Sequence, residues 1–297
     1  MKKLATIQVD VDSFWPLLNF YGYDALPQET RTIYEIAIPR MLEIFRRFKV
    51  KATFFVVGRD LLNERNRAIL GQIVEEGHEI ANHTMNHPFG FSKLSRERKE
   101  REICEAEGII EEMTGTRPRG FRAPGYDMDT EALCILESRD YVYDSSVFPS
   151  TLGLLMKLLT KDKATSIGRI IRNCSAPITP YYPSRKDLSK KEKRGKVLEI
   201  PITAVPYVRL PFYANFNIAT GRWLFDVCYA LIRERSLNYL FHAIELVDMY
   251  KDNIDRRLIR HPNLSLPLDR KVKFYEHILD RITSDYEVVT TEELAGG

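Results

Sequence analysis

Polar and apolar residues alternate strictly in the opening run ATIQVDVD, the period-two pattern of a strand with two chemically different faces. Val9 and Val11 fall on one face and Asp10 and Asp12 on the other. Seven further runs read as strands: KATFFVV, HEIANHT, RGFRAP, YVYDSS, VLEIPIT, NYLFHAIEL and YEVVTT. Between them the period lengthens to that of a helix. IPRMLEIFRRF carries Pro39 in its first turn, NRAILGQIVEEG ends at Gly77, and SRERKEREICEAEGIIEEMTG is bounded by Ser95 and Gly115. GRWLFDVCYALIRERS and RKVKFYEHILDRIT supply helices to the second half. Regular strand and helix alternation is the mark of parallel βα units, and about eight of them in this length favour a closed or nearly closed α/β barrel over an open sheet. A polar, irregular stretch at about 151–196 interrupts the alternation and reads as an insertion into a single domain covering 1–297.

Composition narrows the class. At 44% apolar residues the chain has enough for a sizeable core, and its net charge of +3 gives a nucleic-acid role no global electrostatic support. No run approaches the ~20 apolar residues that span a bilayer. The N-terminus passes from two lysines straight into a strand, so the expectation is a protein without a signal peptide, placed in the cytoplasm. Cys104, Cys134, Cys174 and Cys228 are widely spaced, lack a CxxC pairing, and read as reduced small hydrophobes. The one compositional anomaly lies between Lys157 and Lys196, with twelve Lys or Arg against three acids. Its first part, TLGLLMKLLTKDKATSIGRIIRN, mixes leucine, isoleucine and basic residues. It reads as an interfacial amphipathic helix or as a solvated basic lid over the barrel mouth.

In a barrel of this kind the working residues sit where strands end and βα loops begin. Asp10 and Asp12, His83 and His87, Arg122, Asp144 and His242 all fall at such places. A divalent metal needs three protein ligands and an open position, which Asp12, His83 and His87 would supply. Taken alone, the HxxxH spacing of NHTMNHP is weak evidence, and the aspartate pair reads equally as caps for backbone amides or as partners for arginine. Aspartates within an apolar strand are nonetheless costly to bury without a partner ion.

These motifs, in order, resemble those of the polysaccharide deacetylase family, the NodB-homology carbohydrate esterases. DVD stands on the first strand, ATFF on the second, HTMNH after the third, RAPGY after the fourth, and a late apolar strand ends in FHAIE. The resemblance covers roughly residues 5–150 and 196–292. It implies a distorted (β/α)7–8 barrel of the NodB-homology type and hydrolysis of the N-acyl group of an amino sugar with one divalent metal, commonly zinc. It makes Asp10 the general base, Asp12, His83 and His87 the metal ligands, Arg122 the holder of Asp10, and His242 the general acid. Gly125 and Tyr126 are implied at the oxyanion and substrate corner, although RAPGY alters the family's RPPYG form. In the family a downstream aspartate orients the histidine, and the local match is YDSSVFP without its tryptophan. Asp144 thus orients His242, lines the substrate groove, or caps a turn.

The same resemblance frames substrate and partners. The IQVDVDSF opening is similar to lipid-linked formylaminoarabinose deformylases, which points to a polyprenyl-phosphate-linked sugar reached at the inner face of the membrane through residues 152–196. Two alternatives stay open: hydrolysis of a cyclic ureide or other non-sugar amide by an allantoinase-like relative, and a non-catalytic carbohydrate binder that keeps the fold.

Overall fold

The computed structural model describes residues 2–23, 25, 31–151, 173–252, 254–261 and 263–296. Its centre is strand β1 (Lys3–Val11), flanked in sequence order by β2 (Thr53–Val56), β3 (Glu79–Asn82), β4 (Gly120–Phe121), β5 (Tyr143–Asp144), the ribbon β6–β7 (Tyr182–Ser184, Asp187–Glu192), β8 (Leu198–Glu199), β9 (Leu237–His242) and β10 (Tyr286–Val289). All pairs in the main sheet are parallel, along the path β1-β2-β3-β4-β5-β8. Residues 5–10 of β1 pair with β9, while residues 3–6 pair with β10 and residues 8–11 with β2. Since a strand has two edges, β9 takes one, and β10 and β2 share the other in succession.

The sheet curls, and its two ends approach without a strand ladder. The amide of Thr203 donates to the carbonyl of Asn238 at 3.2 Å, and the Asn238 side chain donates to the carbonyls of Ile200 and Pro201, both at 3.1 Å. This is a barrel stitched along one seam by a side chain, the distorted form that the strand count and motifs lead one to expect.

The alternation in β1 explains how the layers separate. Ala5, Ile7, Val9 and Val11 are fully buried against the helical layer, with Ile33, Ala37, Phe45 and Ile278 in the same cluster. Full burial of each valine, isoleucine or phenylalanine among them is worth about 1.5–3 kcal/mol. The other face, Thr6, Gln8, Asp10 and Asp12, lines a polar interior. Thr6 Oγ1 donates to Asn238 Oδ1 at 2.9 Å, and Gln8 Nε2 to Thr291 Oγ1 at 3.1 Å. Buried polar groups are tolerable only when paired, and Thr6 and Gln8 are.

Helices α1 (Phe14–Phe20), α2 (Ile38–Phe48), α3 (Glu64–Glu75), α4 (Arg96–Thr114), α5 (Thr130–Ser138), α6 (Ala214–Thr220), α7 (Arg222–Ile232), α8 (Leu268–Asp285) and α9 (Thr291–Gly296) complete the described architecture, with a π-helical turn at Thr32–Ala37. The ends of α4 lie where the sequence puts them. Ser95 caps its first turn by accepting from the Arg98 amide, and Gly115 closes it at φ +70°. Several elements were not foreseen: the short helices α1, α6 and α9, the π-helical turn, helix α5 and the β6–β7 ribbon. Helix α5 is started by Asp129, whose side chain accepts from the Ala132 amide. The β6–β7 ribbon folds the most basic part of the insertion into an antiparallel pair, tied to the sheet edge through Tyr181, which exchanges backbone bonds of 2.8 and 3.0 Å with Glu199. The expected interfacial helix falls largely on 152–172, outside the described residues.

Candidate active site

Asp10 and Asp12 reach the C-terminal end of β1 on the interior face. Register then selects their neighbours: Asp10 is the ladder partner of His242 on β9 and of Phe55 on β2. His83 and His87 come from the loop after β3. Asp12 Oδ1 lies 3.4 Å from His83 Nε2 and 3.3 Å from His87 Nε2, and the three potential ligand atoms are all within 4.8 Å of one another.

The loop that presents the imidazoles is held in an uncommon shape. Thr84 has φ +67° and His87 φ +47°, and a β-branched residue in this region is strained. The strain is held by side chains that the motif reading passed over. Asn82 Oδ1 accepts from the Thr84 amide at 2.8 Å, while its Nδ2 donates to the Ile103 carbonyl and to Tyr141 Oη. Thr84 Oγ1 then accepts from the His87 amide at 3.1 Å, and Glu102 receives both the amide and the side chain of Asn86.

The donor set fits a cation. His83 Nδ1 stands 2.7 Å from the Arg122 carbonyl. A carbonyl only accepts, so Nδ1 carries a proton, and in the neutral ring Nε2 turns a lone pair towards Asp12. Asp12 Oδ1 is buried without a hydrogen-bond partner among the described residues. Acceptors facing one another call for positive charge between them. The carboxylate attracts positive charge: burial pushes the Asp12 carboxyl up, but His87 and His83 outweigh it and hold it well below the usual carboxylate range. Burial lowers His83, yet Asp12 and Asp10 outweigh that and raise it.

Asp10 is secured from the other side. Fully buried Arg122 donates from Nη1 to Asp10 Oδ1 at 2.5 Å, from Nη2 to Gln8 Oε1 and to Ser145 Oγ, and from Nε to the Ser145 carbonyl. Its guanidinium also lies 4.0 Å from the centre of the Phe55 ring. A charge buried this deeply persists only when it is paired and hydrogen-bonded, and here each of the three guanidinium nitrogens has a partner.

His242 Nε2 stands 3.7 Å from the second oxygen of Asp10 and 3.4 Å from Tyr126 Oη. Its other nitrogen, Nδ1, lies 3.5 Å from Glu245, a residue absent from the sequence-based set. Burial pulls the imidazole down, but Glu245 and then Asp10 outweigh it and push it up to about 9. Burial, reinforced by Asp10, keeps the Tyr126 phenol well above its ordinary range, so it remains a donor. The Tyr126 amide bonds back to the Ala123 carbonyl at 3.0 Å, and Gly125 turns the loop at φ +58°. Phe148 and Tyr213 continue the aromatic wall, with ring centres 5.4 Å from Tyr126 to Phe148 and 6.2 Å from Tyr213 to His242.

Asp144 lies apart from this group. Ser146 Oγ donates to it at 2.5 Å and in turn accepts from the Ala123 amide, so Asp144 braces the loop that carries Arg122 from behind. It is 2% exposed and shares its rung of the ladder with Glu199. The readings in which Asp144 orients His242 or lines the groove give way to this one, because its buried carboxyl is engaged with Ser146 and Glu199 instead.

Residues 23–143 match the family model described as polysaccharide deacetylase. The chain is 39% identical over 87 residues to a peptidoglycan-N-acetylglucosamine deacetylase of Bacillus cereus, covering 29% of this chain and 39% of that one. It is 26% identical over 147 residues to a peptidoglycan deacetylase of Helicobacter pylori, covering 48% and 49%. The aligned stretches thus span half or less of these curated relatives. In fold it is similar to a crystal structure assigned to a polysaccharide deacetylase of Mycobacterium smegmatis, with a TM-score of 0.62 at 19% identity over 99% of this chain and 90% of that one. A pseudoenzyme described as of the CE4 family, from Bacillus anthracis, superposes with a TM-score of 0.50 at 16% identity, over 99% and 66%. At such identities the likeness is one of fold, and activity has to be argued from side chains. Over residues 23–143 the chain thus matches the polysaccharide deacetylase family model, and its fold is that of the solved structure that carries the same description.

Proposed function

We propose that the protein hydrolyses the N-acyl group of an amino sugar with one divalent cation, zinc by our reading, held by Asp12, His83 and His87. The observation that carries the proposal is their convergence, with one buried oxygen left open, directly beside a carboxylate locked by a buried arginine. When bound, such an ion polarises the acyl carbonyl and makes water more acidic. The rest of the chemistry falls to the chain. Asp10, kept ionised and aimed by Arg122, takes the proton of the attacking water. The Tyr126 hydroxyl and the backbone around Gly125 lie on the side where negative charge develops and can donate to it. An amine departs poorly without a proton, and His242, charged at neutral pH, supplies it from Nε2.

The names of the curated relatives support an N-acetylated hexosamine as the substrate class. We carry the reading further to a sugar linked to a polyprenyl phosphate, met in the cytoplasm at the inner face of the membrane. The motif-level similarity of the opening strand and the basic insertion support it. Liposome flotation checks the membrane part: binding that rises with anionic lipid is expected, and equal or absent binding to neutral and anionic vesicles removes it.

The test of the central claim is a panel of N-acetyl and N-formyl amino sugars, free, oligomeric and lipid-linked, with released acid and bound metal measured together. Hydrolysis that is lost on chelation, restored by one equivalent of Zn2+ and abolished in Asp10→Asn is expected. Full activity in a preparation free of metal would favour an allantoinase-like amidase. No turnover together with ligand binding equal in wild type and Asp10→Asn would favour a non-catalytic binder.

A further inference from the structure

We propose that Glu245 is the positioning residue of His242, holding the ring with Nδ1 protonated so that Nε2 is the nitrogen that exchanges a proton with substrate. This rests on the hydrolytic reading above. The argument begins with the backbone. His242 ends β9, and the chain turns at once into the tight helical turn Ala243–Leu246, which brings the side chain three residues on back over the imidazole. Glu245 is 1% exposed, and its Oε1 lies 3.5 Å from His242 Nδ1. Neither atom has a hydrogen-bond partner elsewhere among the described residues. Two buried polar atoms of opposite need that face each other and nothing else form a pair.

The carboxylate is itself fixed. Its second oxygen accepts from Tyr275 Oη on α8, and one turn earlier on that helix Lys271 donates to the Val247 carbonyl at 2.5 Å, pinning the turn that carries Glu245. The remaining groups around His242 lie on the Nε2 side or further off. Asp10 on β1 stands at 3.7 Å, with Asp12 beyond it, Tyr126 Oη at 3.4 Å, and the Tyr213 ring at 6.2 Å between centres. Asp144, the acid that the motif order nominates, is engaged with Ser146. The support of the histidine has therefore moved from β5 to the turn after β9. The upward displacement of the His242 charge equilibrium agrees with an anion on each side of the ring.

The experiment titrates the His242 ring by NMR in histidine-labelled protein, with and without one equivalent of Zn2+, using a His242→Gln variant for assignment. Glu245→Gln should lower the His242 midpoint by roughly one to three units. Asp144→Asn should leave it in place. An unchanged midpoint in Glu245→Gln, or an equal drop in Asp144→Asn, overturns the proposal. Should Glu245→Gln fail to fold, Glu245→Asp decides: withdrawing the carboxylate by one methylene lowers the midpoint by a smaller amount, and no change overturns the pairing. The titration needs no substrate. Shifts as expected in a protein that hydrolyses nothing would remove the proposed function and leave the pair standing.

Discussion

Replacing Glu199 with glutamine should stabilise the protein, and increasingly so as the pH rises. Glu199 and Asp144 face each other across the β5–β8 ladder, 1% and 2% exposed. Burial and then the Asp144 charge push Glu199 well above its ordinary range, and burial pushes Asp144 from 3.8 up to about 6. Both displacements are upward, so the folded pair keeps protons that the unfolded chain has released. The corresponding stability is complete below the unfolded values and drains away as pH rises through the folded ones. For Asp144 the span from 3.8 to about 6 is roughly two units at ~1.4 kcal/mol each, so about 3 kcal/mol has gone by neutral pH. Glu199 adds ~1.4 kcal/mol of loss per pH unit for as long as its proton stays bound. Glutamine keeps the oxygen that accepts from the Val147 amide at 2.9 Å and places an N–H where the acid proton was. Urea denaturation of both proteins from about pH 5 to about pH 8 reads the difference, which should grow by ~1 kcal/mol per pH unit. A difference that is flat or shrinks with pH refutes the proton-holding pair.

Arg122→Met should cost about 3–5 kcal/mol by denaturant titration, because it strands the buried Asp10 charge; a near-neutral change would mean that Asp10 is not held as an anion. His87→Ala should weaken Zn2+ binding measured by calorimetry at least ~100-fold, since even loss of an outer partner costs 10–100-fold. An affinity within a few-fold of wild type would remove His87 from the ligand set. With His242 raised to about 9 and acting as a proton donor, turnover should fall as pH rises through about 9, and a decline already complete near pH 7 would contradict that role. Gly120→Ala places a methyl 1.9 Å from the Tyr143 ring, whose hydroxyl is committed to Glu79 at 2.5 Å, and should cost roughly 3 kcal/mol; a loss below about 1 kcal/mol would show that this packing yields easily.

The strands and most helices were legible because their signals are local. The alternation in β1, the Ser95 cap and the terminal Gly115 each act within one turn or one pleat, and each lies where it was read. Helix α5 also has a local signal in Asp129, but its nine residues offer too short a pattern to stand out. The β6–β7 ribbon had none: DLSKKE is a charged run of low strand preference, and it pairs because Tyr181 anchors it to the edge at Glu199. Asn82 and Thr84 looked like ordinary loop polars until the positive φ at Thr84 and His87 showed what they hold in place.

The order of residues along the chain was enough to put two carboxylates on one face of one strand and two imidazoles on one loop, since side-chain direction along a strand is a property of the backbone itself. Which of these groups touch was settled elsewhere. The β1–β9 register sets His242 beside Asp10, the parallel β5–β8 rung draws Asp144 to Glu199, and a tight turn folds Glu245 back over His242. Those contacts join residues far apart in sequence or hang on a single backbone turn, and they exist only because the buried interior leaves each polar atom one place to find a partner.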